Sequence, residues 1–119
     1  MSNALTITVS EIKSKVPVTV LRLEGDLDSK TYSDLENKAG ALIEAGSRNF
    51  VLDLSAVSFM GSAGLRAMHG MANKLKNSAG GGQVKLLQPS DSVARVLKTL
   101  GFDQFFNIHS SLDEAVNSF

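Results

Sequence analysis

Apolar and polar residues alternate over residues 5–9, LTITV, with β-branched side chains frequent, and this period of two predicts a strand. A polar turn, SEIKSK, follows. Residues 16–25, VPVTVLRLEG, then set Val16, Val18, Val20 and Arg22 against Thr19, Leu21 and Leu23, a second strand hairpin-paired to the first. Pro17 has no N–H for a ladder, so it belongs at that strand's start or edge. Beyond Gly25 the spacing turns helical. Leu35, Ala39, Leu42 and Ile43 share one face, with Asp28 or Ser29 as the N-cap and Gly46 as the stop.

The run FVLDLSAV, residues 50–57, is nearly continuous in apolar residues, as expected of a strand buried on both faces. From Ser62 the helical period resumes, with Leu65, Met68, Ala72 and Leu75 on a common face. NSAGGGQ reads as a loop and VKLLQP as a short strand stopped by Pro89. SDSVARVLKTLG is a helix with Val93, Val96, Leu97 and Leu100 aligned and Gly101 as its stop. FFNIH is a final strand, and SSLDEAVNSF a final helix opened by a serine cap. The order β-β-α-β-α-β-α-β-α predicts an α/β domain. Its sheet is mixed: an N-terminal hairpin, then parallel strands with right-handed crossovers. No linker or internal repeat interrupts residues 1–119, so a single domain is expected.

Composition narrows the chemistry. Apolar residues make up 43% and charged residues 20% of the 119 residues, the balance of a globular domain. Twelve basic residues offset twelve acidic ones, which gives no general pull toward nucleic acid or anionic membrane. With no cysteine, disulfides, thiolate catalysis and Cys-ligated zinc are excluded. The first residues, MSNALTITVS, carry no leader pattern, and no apolar run approaches the ~18 residues of a membrane helix. A cytoplasmic protein is expected, with no membrane partner.

The glycines of AGGGQ precede a strand and lack the Lys-Ser/Thr pair of a phosphate loop, so no cofactor is expected there. His69 and His109 have no partner at ligand spacing, so no metal is expected. Gly61-Ser62-Ala63-Gly64 resembles a nucleophile elbow, but Met60 stands where that pattern needs glycine. His69 lies two helical turns beyond Ser62, about 10 Å along the axis, too far to activate it. The chain is not expected to be an enzyme.

Ser62 therefore stands alone as a candidate. Its plainest reading is an N-cap whose oxygen accepts a backbone N–H. The second reading is a modification switch: Gly61, Ala63 and Gly64 strip bulk from around the hydroxyl, as access by another protein requires. A phosphate there would add about 1.5 to 2 negative charges where the helix start tolerates an anion. Met60 reads either as core or as an exposed, adaptable contact beside a glycine. Arg66, in the helix's first turn, is near any partner docked over Ser62. Asp26 and Asp28 read as turn and cap residues.

Three motifs resemble the STAS domain, and within it the bacterial anti-sigma factor antagonists. LSAVSFMGSAGL at residues 54–65 is similar to the family's LSxVxFMDSxGL. Leu23-Glu24-Gly25-Asp26-Leu27-Asp28 matches LxGxLD. Arg95, Leu97, Gly101 and the segment from Phe106 to Glu114-Ala115 match the family's tail. The resemblance implies the same α/β fold and a non-enzymatic partner-binding role. It implies an anti-sigma factor of the serine-kinase type as partner, Ser62 as the phosphoacceptor, and a PP2C-type phosphatase that resets it. Asp28 resembles an acidic residue lying near the acceptor. The partner-binding set is then Asp28, Met60, Gly61, Ser62, Ala63, Gly64 and Arg66. The family's aspartate before the acceptor is Gly61 here. A STAS interaction or ligand-sensing module without a phosphoswitch, associated with transport or with a stressosome, is the alternative reading.

Overall fold

The computed structural model describes residues 4–119; residues 1–3, the head of the segment read for a leader, lie outside the described residues. Five strands form one sheet: β1 (Thr6–Lys13), β2 (Pro17–Leu27), β3 (Asn49–Met60), β4 (Gln83–Leu87) and β5 (Asn107–His109). Their spatial order is the chain order. β1 and β2 pair antiparallel, with Ile12 opposite Val18, and every later pairing is parallel. The expected mixed sheet is the one observed, and Pro17 opens β2.

The helices are α1 (Tyr32–Glu44), α2 (Ser62–Lys76), α3 (Asp91–Thr99), α4 (Phe102–Phe105) and α5 (Leu112–Asn117). The single turn α4 is an addition to the predicted order. It takes Phe105 out of the expected final strand, because Phe106 N donates to Phe102 O at 2.9 Å and the rings of Phe102, Phe105 and Phe106 pack on one another. α1 starts later than its Asp28 or Ser29 cap predicted. Asp28 closes a turn instead, its carbonyl accepting from Tyr32 N at 2.9 Å.

Most of the core lies between the sheet and α1, α2 and α3. Leu21, Leu23, Phe50, Leu52 and Leu54 meet Leu35, Ile43, Met68, Leu75 and Leu97 there. The opposite face is covered by α5, where Ala115 and Val116 seat on Val18, Val20, Val51 and Leu87. Ser111 caps α5 as expected, accepting from Glu114 N at 3.1 Å. Lys85 is 4% exposed under this helix. Its Nζ donates to Ser118 O at 3.0 Å and lies 4.7 Å from the Phe119 ring centroid. Burial pushes the Lys85 ammonium below its ordinary pKa.

Two features set the geometry at the far end of β2 and β3. The register between them shifts twice, after Arg22 and after Gly25, so that Leu27 stands beside Met60. Gly25 has φ +112°, and a side chain there would collide with the Ala4 carbonyl. The two strands thus end together, and α2 springs from the end of β3.

Candidate functional site

The site is the junction where β3 hands over to α2, beside the turn that leaves β2. Gly61 N donates to Leu27 O at 2.9 Å, which ties the two strand ends together. Asp28 is next in the chain. Its Oδ1 accepts from Lys30 N at 2.9 Å and from Thr31 N at 3.2 Å, while Thr31 Oγ1 donates to Asp26 O at 2.7 Å. The Asp28 carboxylate is therefore held in place, half-buried, as a turn residue bordering the junction.

Ser62 is the first residue of α2, and Gly61 occupies the capping position with φ −96° and ψ 176°. The expectation that Ser62 caps the helix is corrected: no side chain caps α2. The hydroxyl is displaced by one residue from the place where it would reach the free N–H groups. Ser62 is exposed, and no hydrogen bond to its hydroxyl is made by another described residue. Arg66 is exposed one turn further along. Among the described residues it has no carboxylate partner.

The small neighbours divide. Ala63 is 8% exposed and Gly64 is buried. A Cβ on Gly64 would stand 2.7 Å from both Leu27 Cγ and Leu27 O, so Gly64 is small to let α2 lie against the end of β2. Neither residue clears space around Ser62. The exposed reading of Met60 is likewise corrected: it is 3% exposed and belongs to the core, because its side chain points to the helix-covered face. The apolar side chain that does face solvent here is its neighbour Phe59, 54% exposed. The alternation of Phe59 against Met60 was the available signal, hidden because both are apolar.

A second omission lies along α2. Leu100, expected in the aligned core face of α3, is 56% exposed, since α3 ends at Thr99 and the chain turns away. Together with Arg66, His69, Gly101, Phe102 and the exposed Phe105 it lines a shallow groove of about 290 Å³. The His69 ring stacks obliquely on Phe105, 4.9 Å between centroids. It is occupied with aromatic packing rather than with Ser62.

His109 lies against α5, with Nδ1 2.9 Å from Glu114 Oε1 and Nε2 3.5 Å from Ser118 Oγ. The Ser118 hydroxyl donates to Ala115 O at 2.6 Å, so its proton is committed to the backbone and not to the imidazole. Among the described residues no three His, Asp or Glu side chains converge as metal ligands.

What the junction offers is an accessible hydroxyl at a helix start, with Asp28 held beside Gly61 and Arg66 one turn along α2. The STAS domain profile matches residues 9–115, the span that contains this junction and the sheet behind it. The chain belongs to the STAS domain family. Among curated STAS relatives it is similar to the anti-sigma-F factor antagonist RsfB of Mycobacterium tuberculosis, 30% identical over 114 residues, covering 96% of this chain and 88% of that one. Among solved STAS structures, an anti-sigma factor antagonist from Mycobacterium paratuberculosis superposes with a TM-score of 0.82 at 28% identity, covering 96% and 92% of the two chains. The Bacillus protein SpoIIAA in its phosphorylated form shares the fold, with a TM-score of 0.70 at 22% identity over 95% of this chain and 98% of that one. As in any STAS domain, function has to be argued from the site and not from the fold. No helix among the described residues is long and apolar enough to cross a membrane.

Proposed function

We propose that this chain is a cytoplasmic anti-sigma factor antagonist that binds an anti-sigma factor of the serine-kinase type through the β3–α2 junction and is switched off by phosphorylation at Ser62. The observation that carries this reading is the state of Ser62: exposed, outside any cap, on a rigid helix start, within a motif that matches the antagonists' motif around it. Relatives named as anti-sigma factor antagonists support the same role.

In the reaction, Ser62 Oγ attacks the γ-phosphorus of ATP. The new O–P bond forms as the bond to ADP breaks, and the hydroxyl proton passes to a base on the kinase. A PP2C-type phosphatase hydrolyses the phosphoserine and restores the hydroxyl. The phosphate adds about 1.5 to 2 negative charges to a contact surface, where an uncompensated charge costs roughly a few kcal/mol of binding. The fold survives, because Ser62 is exposed and a helix start favours an anion. Asp28, Gly61 and Arg66 border the same contact, and Phe59 extends it.

The test uses the purified chain, its cognate kinase and ATP-Mg²⁺. Mass spectrometry is expected to find one added phosphate on wild type and none on Ser62→Ala. Undiminished labelling of that variant sinks the proposal. Ser62→Asp is expected to bind the anti-sigma factor more weakly at an unchanged melting temperature.

A further inference from the structure

We propose that Arg66 is the intramolecular counter-charge of the modified Ser62: phosphoserine at position 62 pairs with the Arg66 guanidinium on the same helix. This rests on the reading of Ser62 as the phosphoacceptor and adds what its phosphate does to the surface. Ser62 and Arg66 are four residues apart near the start of α2 and both are exposed. Residues at that spacing lie one above the other, about 5–6 Å apart at Cβ, and an acidic group preceding a basic one is the favourable orientation. The first turn of α2 contains no acidic residue, so nothing on the helix competes for the guanidinium.

On the β2 side of the junction, Asp28 offers the phosphate no counter-charge. A side chain built on Gly61 would begin 3.9 Å from Asp28 Cα, and the Asp28 carboxylate is fixed by the Lys30 and Thr31 amides. Of the charged side chains near Ser62, the one at helical spacing and, among the described residues, without a carboxylate partner is Arg66, so the phosphate turns along α2. Arg66 matches it well, because its planar fork takes phosphate oxygens two at a time.

The pairing changes more than Ser62. Among the described residues, Arg66 is the one Lys or Arg lining the groove with His69, Leu100 and Phe105, and no carboxylate lines it. Drawing Arg66 onto the phosphate removes that cation from the groove. One phosphoryl transfer therefore alters two neighbouring parts of the surface, the junction by adding negative charge and the groove by losing positive charge.

The experiment is a ³¹P NMR titration of the full chain carrying phosphoserine at position 62, installed during translation so that no kinase is needed. An adjacent guanidinium favours the dianion and lowers the second phosphate pKa from its usual value of about 6. Arg66→Gln is expected to raise that pKa by about 0.2–0.4 unit, the size of a helix pair at this spacing. Arg66→Lys is expected to restore most of the difference, Lys30→Gln to leave it unchanged, and about 1 M salt to abolish it. Equal titrations in wild type and Arg66→Gln overturn the pairing, as does a shift that follows Lys30 instead. Because the phosphate is supplied directly, these results stand apart from the kinase test. A chain that no kinase labels but whose phosphoserine feels Arg66 would refute the switch and leave the pairing intact.

Discussion

Gly64→Ala and Gly70→Ala make the same chemical change in one helix and are expected to act in opposite directions. Glycine to alanine in an exposed helix interior gains about 0.8–1 kcal/mol. Gly70 is exposed in the middle of α2, and a Cβ there meets no atom within 4 Å, so it should collect that gain. At Gly64 the new methyl stands 2.7 Å from Leu27 O and 2.7 Å from Leu27 Cγ. The side chain can rotate, but the carbonyl cannot yield cheaply, because it already accepts from Gly61 N at 2.9 Å. Relief requires α2 to lift off the end of β2 by roughly half an ångström or more, and such overpacking costs typically about 1–3 kcal/mol.

With the cost in the upper part of that range, about 2–3 kcal/mol, because a hydrogen-bonded carbonyl is in the way, the propensity gain offsets part of it and leaves Gly64→Ala about 1–2 kcal/mol less stable than wild type. For a domain of this size that is a melting temperature roughly 4–8 °C lower, against a rise of about 3 °C for Gly70→Ala. Urea unfolding followed by circular dichroism measures both, with unchanged slopes as the check that only stability has moved. If Gly64→Ala is stabilised like Gly70→Ala, then close approach to Leu27 is not what holds position 64 small. The argument that separates Gly64 from Ser62 then falls with it.

Gly61→Asp meets no backbone strain, because φ is −96°, and its Cβ would touch the Phe59 ring edge at 3.4 Å. It supplies the missing cap to α2, so thermal unfolding should show a gain of a few tenths to about 1 kcal/mol; a loss would mean that crowding by Phe59 or repulsion from Asp28 dominates. Lys85 carries a pH dependence. Burial depresses its folded pKa below the ordinary 10.5, so between those two values the unfolded chain holds more protons and stability rises with pH. Denaturant unfolding at steps from pH 8 to 10.5 should show that rise in wild type and not in Lys85→Met, and parallel curves would refute it.

Most of the sheet could be read from the chain because the patterns of β2 and β3 matched their packing. Val18 and Val20 of β2 pack with α5 while Leu21 and Leu23 join the larger core, and Phe50, Val51, Leu52 and Leu54 of β3 are all buried, whereas β1, at the sheet's edge, stays largely exposed, with Val9 at 41%. Helix faces were legible for the same reason, since Leu35, Ala39 and Ile43 repeat at the helical period and all three are buried. The failures come where local pattern underdetermines the environment. Met60 and Phe59 are both large and apolar, and only the pleat decides which is core. Leu100 continues the period of α3 past the point where the helix ends. A glycine gives no sign of whether a close approach holds it small: a Cβ on Gly64 would stand 2.7 Å from Leu27 O, while one on Gly61 would meet nothing nearer than the Phe59 ring at 3.4 Å. The groove joins residues some thirty apart in the chain, Arg66 and His69 with Leu100 and Phe105, which no local spacing announces.

Charge at the junction gives Gly61 a physical consequence. On the two segments that meet there, residues 26–30 and 61–66, the ionisable residues are Asp26, Asp28, Lys30 and Arg66, whose formal charges cancel. With glycine at 61, the unmodified surface around Ser62 is balanced, and a phosphate turns it from neutral to net negative by about 1.5 to 2 charges. An aspartate at 61, as the antagonist motif has, would make the surface negative before any modification, and the same phosphate would then deepen a charge already there. Long-range attraction depends on net charge within roughly a Debye length, about 8 Å at physiological salt. Were Ser62 phosphorylated as proposed, a partner would meet a neutral surface before the modification and a negative one after it, and not a negative surface made more negative. The arginine that α2 sets one turn from Ser62 is the group positioned to limit how large that change becomes.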